Sequence, residues 1–188
     1  GLLGHDPAEC SVAILGATGS IGKVAAKMLA PQVREIVLNA RTEHKLAEVA
    51  EEIDEPSCSV RTETDVAAAL RGCEIVIAVT SSLETIVEPE MLAAGAVVCD
   101  VARPRDVSKR VAEVRDDVLV IEGGAVAVPG DVEFNFNFGF PPKEAYACMA
   151  ETMILALEGK FEDYSLGRDI RIEQVQEIAA LGRKHGFK

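Results

Sequence analysis

A glycine-rich turn between an apolar segment and a helical segment is the feature that most constrains the fold of this chain. Residues 11–15, SVAIL, form a short apolar run, and a helical pattern follows from Ser20 to Leu29. Between them, Gly16, Gly19 and Gly22 stand in a GxxGxxG spacing. A sharp turn from strand to helix needs a residue without Cβ, and the helix start offers free N–H groups to phosphate oxygens. The pattern therefore predicts a dinucleotide-binding turn after the first strand of a βαβ series.

Strand and helix patterns alternate along the next hundred residues. Predicted helices at 42–53 and 64–72, and a shorter helical stretch at 89–95, separate segments that are rich in Val, Ile and Leu. Continuously apolar strands separated by helices are typical of a parallel sheet with helices on both faces. The sequence therefore predicts an α/β fold, a Rossmann-type doubly wound, mainly parallel sheet with a C-terminal helical segment. The predicted strands after the first are 34–40, 57–61, 73–80, 95–102 and 117–124.

The pattern changes after residue 124. Residues 125–142 contain four of the six phenylalanines and many turn residues, which predicts a loop or an irregular β-ribbon. Phe134–Phe140 fits either a self-association ribbon, and with it a homo-oligomer, or a pocket wall. A long helix is predicted at 143–158 and a second one at about 172–184. The length of 188 residues predicts one domain spanning 1–188.

Composition excludes several classes of function. A net charge of −12 repels a phosphate backbone, so nucleic-acid binding is not expected. The five cysteines are scattered without a CxxC pair, which favours free thiols in a reducing compartment and predicts no metal ligands. No apolar run reaches the roughly 18 residues that a membrane span needs, and no signal peptide is evident. We therefore expect a cytoplasmic protein.

The end of the second predicted strand bears on the choice of cofactor. Sites for NAD usually carry an acidic residue there, which binds the ribose 2′-hydroxyl. This chain reads Asn39, Ala40, Arg41, Thr42, without an acid. Arg41 is placed to bind a 2′-phosphate through a charge-assisted contact, although a solvated arginine at a helix start is the alternative. The sequence therefore predicts NADP(H) rather than NAD.

Hydroxyl side chains follow the strand predicted at 73–80. Thr80, Ser81 and Ser82 would lie at the carboxyl edge of the sheet, where open α/β folds bind their ligands. They are candidates for the nicotinamide side of the site, and a simple helix cap is the alternative.

One cysteine, Cys148, lies at the start of a predicted helix. A helix N-terminus lowers the pKa of a thiol and favours its nucleophilic form. The preceding Pro141-Pro142 pair is expected to fix where this helix begins. Free cysteines are commonly packing residues, so the residues alone leave both roles open.

The C-terminal residues resemble a known family. YACMAETMILALEG and YSLGRDIRIEQVQEIAALGRKHGF are similar to the C-terminal portion of the long-chain acyl-(acyl carrier protein) reductases, which form fatty aldehydes. The matches extend over Leu15–Gly22, Ala40-Arg41, Cys73–Val79 and Asp100. Further matches are Gly123-Gly124, Ala147–Met153, Ser165–Arg168 and Lys184–Phe187.

This resemblance implies an NADP-dependent reduction of an acyl thioester, carried by acyl carrier protein or CoA, to an aldehyde. The position that matches the family's nucleophile is Cys148. With the resemblance, the candidate cofactor-binding residues are Gly16, Thr18, Gly19, Ser20, Ile21, Gly22, Asn39, Arg41, Thr42, Thr80, Ser81, Ser82, Asp100, Gly123 and Gly124.

The chain departs from the family pattern in three places. Residues 101–106 replace the usual GGYPKN, and Ala127-Val128 stand where the family carries a Glu-His pair. The family's N-terminal domain has no counterpart, which predicts a cofactor domain of a longer protein. Two alternatives stay open: a dehydrogenase resembling the shikimate and glutamyl-tRNA reductase group, or a non-catalytic NADP-binding module. A basic cluster, Arg103, Arg105, Lys109 and Arg110, fits either an acidic carrier or a solvated helix face.

Overall fold

A six-stranded parallel sheet forms the centre of the fold in the computed structural model, which describes residues 6–167 and 169–188. Every neighbouring pair in the sheet is parallel, and the strand order is β3-β2-β1-β4-β5-β6. This is the doubly wound order, so the predicted Rossmann-type fold is confirmed. The strands are β1 Ser11–Leu15, β2 Glu35–Asn39, β3 Ser59–Glu63, β4 Ile75–Ala78, β5 Val97–Asp100 and β6 Leu119–Glu122.

Helices cover both faces of the sheet because alternate strand side chains point to opposite sides. Val12 and Ile14 pack on one face with Leu46 and other buried residues of α1 and α2. Ala13 and Leu15 pack on the other face, in a core that includes residues of α3 and α4. All of β1 is buried, as its unbroken apolar sequence predicted. The helices are α1 Ser20–Leu29, α2 Glu43–Glu51, α3 Val66–Leu70 and α4 Lys109–Val114.

The strand order creates a crevice at the carboxyl edge of the sheet. β1 lies between β2 and β4, so the chain leaves β1 on one side and returns on the other. Ligands of open α/β sheets bind at such a switch point. The glycine-rich turn, between β1 and α1, is located there.

The chain divides into two compact units, one ending at Gly123 and one running from Gly124 to Lys188. We call them the sheet unit and the C-terminal unit. The sequence predicts one domain over 1–188, and this stays a prediction, which unfolding measurements can test. The C-terminal unit contains β7 Ala125–Ala127, β8 Glu144–Tyr146, α5 Ala147–Leu157 and α6 Ile172–His185. Its core is built from Val128, Ala145, Ala150, Ile154 and Phe187.

The predicted start of the long helix is wrong by four residues. The helix was expected from residue 143, but Glu144–Tyr146 pair antiparallel with Ala125–Ala127 and α5 begins at Ala147. The Pro141-Pro142 pair therefore precedes a strand and does not set the helix start. Strand pairing with β7 overrides the helical spacing of these three residues.

The helical stretch expected at 89–95 is also shorter than predicted. Only a single 3₁₀ turn forms, over Pro89–Met91.

In the described part of the chain no helix has the length and apolarity needed to cross a membrane. Arg168, the last residue of the Ser165–Arg168 match, lies outside the described residues.

Candidate functional site

Two of the three glycines in the turn are required by the fold itself. Gly16 has φ +84°, and a Cβ there would lie 2.8 Å from the carbonyl oxygen of Val79. A Cβ on Gly22 would lie 2.8 Å from Cα of Ala17 and closer still to the carbonyl oxygen of Gly16. The first glycine therefore permits the tight turn, and the last lets α1 pack closely against it.

Gly19 is required far less by its own surroundings. It is exposed, and a Cβ there would meet only the carbonyl oxygen of Gly16, at 3.3 Å. The absence of a side chain at this exposed position lets a ligand approach the backbone closely. The turn thus offers the approach that a pyrophosphate needs, so these residues fit a dinucleotide.

The hydrogen bonds of the turn leave a set of amides open. The N–H groups of Gly16 and Ala17 donate to the carbonyl oxygen of Asn39, at 2.9 and 3.0 Å, and Gly19 N–H donates to Gly16. The first helical bond comes from Lys23, which donates to Gly19 at 2.9 Å. Among the described residues, no hydrogen-bond acceptor faces the amides of Thr18, Ser20, Ile21 and Gly22. These amides supply the partial positive charge at the start of α1.

The three predicted residues at and just after the end of β2 have different surroundings. Asn39 is 4% exposed, and its side-chain amide donates to the carbonyl oxygen of Glu63 at 2.9 Å. Its own carbonyl holds the glycine turn, so Asn39 acts on the site through the backbone. Thr42 is the N-cap residue of α2, without a side-chain capping bond. Arg41 is exposed, and no acidic partner for it occurs within the part of the chain that the structure describes. Its guanidinium is therefore available to an anion.

The segment after β4 uses two of its three hydroxyls internally. Thr80 Oγ1 donates to Oδ1 of Asp106 at 2.6 Å and accepts from the N–H of Ser82 at 3.0 Å. Ser82 Oγ donates to the carbonyl oxygen of Glu84. Ser81 is exposed, and no hydrogen bond from its hydroxyl occurs among the described residues. Of the three predicted residues, Ser81 therefore has the hydroxyl best placed for a ligand.

Asp100, at the end of β5, is an internal anchor. It is 3% exposed, and its carboxylate accepts N–H bonds from Ala102 at 3.1 Å and from Val107 at 3.1 Å. The N–H of Asp106 also approaches it, at 3.5 Å. The carboxylate therefore fixes the loop after β5.

The predicted glycine pair at the end of the sheet has a packing explanation. A Cβ on Gly123 would lie 2.6 Å from both Cys99 Sγ and a methyl carbon of Val101. Within the C-terminal unit, the carbonyl oxygen of Gly124 accepts from the N–H of Ala147 at 2.9 Å. Contacts inside the protein thus account for a glycine at 123.

The residue that the sequence analysis missed is Asp106. It is 0% exposed, and its carboxylate accepts from both the N–H and the hydroxyl of Thr80. Burial raises the pKa of this carboxyl, the bonds from Thr80 oppose that rise, and the charge of Asp100 adds to it. Its sequence signal was weak, because an acid after Arg-Pro-Arg reads as part of a charged surface loop.

Cys148 differs from the other four cysteines. Cys10, Cys58 and Cys73 are buried, and Cys99 is partly buried, while Cys148 is exposed. Burial raises the pKa of each of the other four thiols, and that of Cys73 to about 11. Cys148 is the second residue of α5, so it lies near a helix start as the sequence predicted, although that start is Ala147 and not residue 143.

An aromatic cluster lies just before Cys148 along the C-terminal unit. The rings of Phe138 and Phe140 contact Tyr146, the residue before α5, with centroids 6.3 and 4.8 Å away. Phe134 and Phe136 in turn contact Phe138. The four phenylalanines and Tyr146 therefore form one aromatic cluster, and its tyrosine lies two residues before Cys148 in the sequence.

The basic cluster is largely neutralised by neighbouring acids. Arg103 and Arg105 both form ion pairs with Glu122. Arg110, on α4, forms ion pairs with Glu88 and Glu90 at 3.2 Å each. These pairs argue against a cationic patch for an acidic carrier, because each arginine lies beside a carboxylate.

One family profile matches most of the sheet unit, and one solved structure is similar to part of the chain. The sequence profile of the Shikimate / quinate 5-dehydrogenase family matches residues 3–122. The nucleotide-binding domain of glutamyl-tRNA reductase from Thermoplasma volcanium is 19% identical, with a TM-score of 0.43 over 59% of this chain and 74% of that chain.

Two curated proteins match almost the whole chain. The Aminotransferase PigE of Serratia sp. (strain ATCC 39006) is 35% identical over 186 residues, which are 96% of this chain and 22% of that protein. The long-chain acyl-[acyl-carrier-protein] reductase of Synechococcus elongatus (strain ATCC 33912 / PCC 7942 / FACHB-805) is 27% identical over 194 residues. That match covers 99% of this chain and 55% of that protein, so the chain spans about a fifth and about half of these relatives.

The predicted homology to the acyl-(acyl carrier protein) reductases is confirmed by the second of these matches. The strand order, the glycine turn with its open amides and the family match agree with one another. The chain is therefore an NAD(P)-binding, oxidoreductase-type Rossmann domain, and it belongs to the Shikimate / quinate 5-dehydrogenase family.

Proposed function

We propose that this chain is the NADP-dependent part of an oxidoreductase that reduces an acyl thioester to an aldehyde through an acyl group held on Cys148. The observation that carries the proposal is the exposed thiol at the second position of α5, while burial raises the pKa of the other four cysteines. Homology to the Synechococcus reductase supports the same chemistry.

The start of α5 offers two features that acyl transfer uses. The thiol of Cys148 is exposed at the second position of this helix, where a thioester can reach it. Among the described residues, the amides of Cys148 and Met149 meet no hydrogen-bond acceptor, whereas Ala147 N–H donates to Gly124. Free N–H groups stabilise the oxyanion that forms when a thioester carbonyl is attacked.

The proposed reaction has two steps, acyl transfer to Cys148 and reduction of the acyl group. The thiolate of Cys148 attacks the carbonyl carbon of the thioester, a new C–S bond forms, and the carrier's C–S bond breaks with departure of the carrier thiolate. NADPH, when bound in the sheet unit, would supply the hydride that reduces the acyl carbon. The C–S bond to Cys148 then breaks, the aldehyde leaves, and the thiolate is regenerated.

The experiment is acylation of the 188-residue chain with a long-chain acyl-CoA, followed by digestion and mass spectrometry. We expect a thioester on Cys148, and we expect its loss in Cys148→Ser. Cys99→Ser is the matched control, since it removes a partly buried thiol, and it should acylate normally. An acyl group found only on other cysteines would contradict the proposal.

The proposed cofactor preference depends on Arg41. Its exposed guanidinium, without an acidic partner among the described residues, is suited to a 2′-phosphate. The last residue of β2 is Asn39 and not an acid. Its buried side-chain amide donates to the carbonyl oxygen of Glu63, so this position provides no carboxylate for a ribose 2′-hydroxyl.

A second candidate function is favoured by the family match. The match falls within the sheet unit, and a dehydrogenase of the shikimate or glutamyl-tRNA reductase type would not need Cys148. A non-catalytic NADP-binding module would not need it either. Turnover of a hydroxy acid with NADP that survives Cys148→Ala favours the dehydrogenase, and NADPH binding without any turnover favours the module.

A further inference from the structure

The segment of residues 80–87, which follows β4, is held at both ends by Asp106. At its start, the N–H of Thr80 donates to Oδ2 of Asp106 at 3.0 Å, and the Thr80 hydroxyl donates to Oδ1 at 2.6 Å. At its end, the N–H groups of Ile86 and Val87 both donate to the carbonyl oxygen of Asp106, at 2.9 and 3.0 Å. One residue outside the segment thus closes it into a loop.

Asp106 is itself fixed from the neighbouring strand. The carboxylate of Asp100, the last residue of β5, accepts from Val107 N–H and lies 3.5 Å from Asp106 N. Val87 and Val107 form a parallel bridge, and Ser108 N–H donates to the carbonyl oxygen of Val87. The ends of β4 and β5 are therefore joined through Asp106 by bonds that are buried at Asp100 and partly buried at Thr80.

The closed loop leaves the hydroxyls of Ser81 and Thr85 exposed and without a hydrogen bond among the described residues, and Ser81 is the one adjacent to Thr80. Thr80 and Ser82 use theirs within the segment and with Asp106, while Ser81 is exposed. A buried carboxylate is costly to keep charged, and burial raises the pKa of Asp106 accordingly. Its hydrogen bonds from Thr80 offset part of that cost and fix the start of the loop.

We propose that Asp106 is a positioning residue, which through Thr80 holds the loop 80–87 so that Ser81 meets the nicotinamide half of a bound dinucleotide. The inference rests on the proposed cofactor site and adds the residues that shape one half of it. Asp106 does not touch the cofactor in this proposal, since it is wholly enclosed.

The test compares two ligands of the 188-residue chain by calorimetry. NADPH carries both halves of the cofactor, and adenosine 2′,5′-bisphosphate carries only the adenosine half. Thr80→Val removes the hydroxyl that bonds Asp106 and Ser82, and Ser81→Ala removes the presented hydroxyl. Each should raise the Kd of NADPH by about 2- to 10-fold, the usual worth of a hydrogen bond, and leave the Kd of the bisphosphate unchanged.

Conservative and remote variants separate positioning from general loss of stability. Thr80→Ser keeps the hydroxyl and should restore the Kd of NADPH. Thr62→Val, on the edge strand β3, makes the same chemical change at an exposed site and should alter neither Kd. Asp106→Asn should raise the Kd of NADPH as Thr80→Val does, but the Thr80 pair decides the matter if that variant does not fold.

Each outcome decides between the proposals. If Thr80→Val and Ser81→Ala weaken both ligands equally, or neither, the positioning role is overturned and the dinucleotide site stands. If the unaltered chain binds neither ligand, the proposed function fails and the positioning role fails with it.

Discussion

The two units of this protein carry their candidate functional groups on different parts of the chain, the backbone in one and a side chain in the other. In the sheet unit the candidate site is mostly backbone: amides at the start of α1, glycines that permit close approach, and a loop closed by buried carboxylates. In the C-terminal unit the candidate chemistry rests on one side chain, Cys148, at a helix start. The backbone site of the sheet unit therefore depends on the fold as a whole, whereas the site in the C-terminal unit depends on the sulfur atom of Cys148.

The largest expected contrast lies in thiol reactivity. With a neutral thiol reagent under native conditions, Cys148 should react at least about 1000-fold faster than Cys10 or Cys73. Buried thiols react only after the structure opens, and burial raises their pKa. Mass spectrometry of the labelled peptides gives the rates.

Cys148→Ser is the control for this measurement and should remove the fast phase alone. Equal reaction rates for Cys148 and Cys10 would contradict the expected difference in thiol accessibility between the two units.

The next effect comes from two glycines with the same backbone angle. Gly16 and Gly139 both have φ +84°, but only Gly16 has neighbours within reach of an added Cβ. Gly139→Ala should lower the free energy of unfolding by about 1–2 kcal/mol, through left-handed strain alone. Gly16→Ala should lower it by about 2–5 kcal/mol, because a clash with Val79 is added.

Urea unfolding measures both variants, and the number of transitions tests whether the units unfold together. Equal losses would show that packing at the turn is not tight. One transition supports the single domain predicted from the sequence, and two transitions contradict it.

A smaller effect is expected in cofactor choice. Arg41→Ala should weaken NADPH binding by about 1–3 kcal/mol and leave NADH binding nearly unchanged, because only NADPH carries the 2′-phosphate. Calorimetry with both cofactors gives the difference. Arg71→Ala, another exposed arginine of the sheet unit, is the matched control. Equal affinities of the unaltered chain for NADPH and NADH would refute the assignment of Arg41.

The smallest effect is a pH response of opposite sign in the two units. Lys184 and then His185 lower the pKa of Glu158, so its contribution to stability is present above its unfolded value near 4.5 and is lost as pH falls through the lower folded pKa. Burial raises the pKa of Asp106, so its contribution is present below 3.8 and is lost as pH rises through the higher folded pKa.

Unfolding of Glu158→Gln and Asp106→Asn across pH 3 to 7 tests these signs. On acidification the unaltered chain should lose stability relative to Glu158→Gln and gain stability relative to Asp106→Asn. The same direction for both variants would contradict the contrast.

The sequence predicted most of the sheet unit because its signals are local. The bounds of β1 and α1 agree with the prediction, since an unbroken apolar run and a glycine turn each fix their own conformation. The start of α5 was predicted too early, because Glu144–Tyr146 pair with a strand about twenty residues away. Helical spacing cannot reveal such a distant partner.

The candidate site divides in the same way. The open amides of the glycine turn and the exposed Arg41 follow from their places in a βαβ unit, and Cys148 from its place at a helix start. The role of Asp106 and the internal use of the Thr80 and Ser82 hydroxyls required the tertiary structure.

Local sequence patterns were enough to predict the doubly wound sheet, the glycine-rich turn and the place of one thiol near a helix start. These depend on backbone conformation, which short stretches of residues dictate. Only the tertiary structure decided which side chains are enclosed and which are available, as Asp106 and Ser81 illustrate. Burial and hydrogen bonding between segments far apart in the chain arise only when the strands are brought side by side.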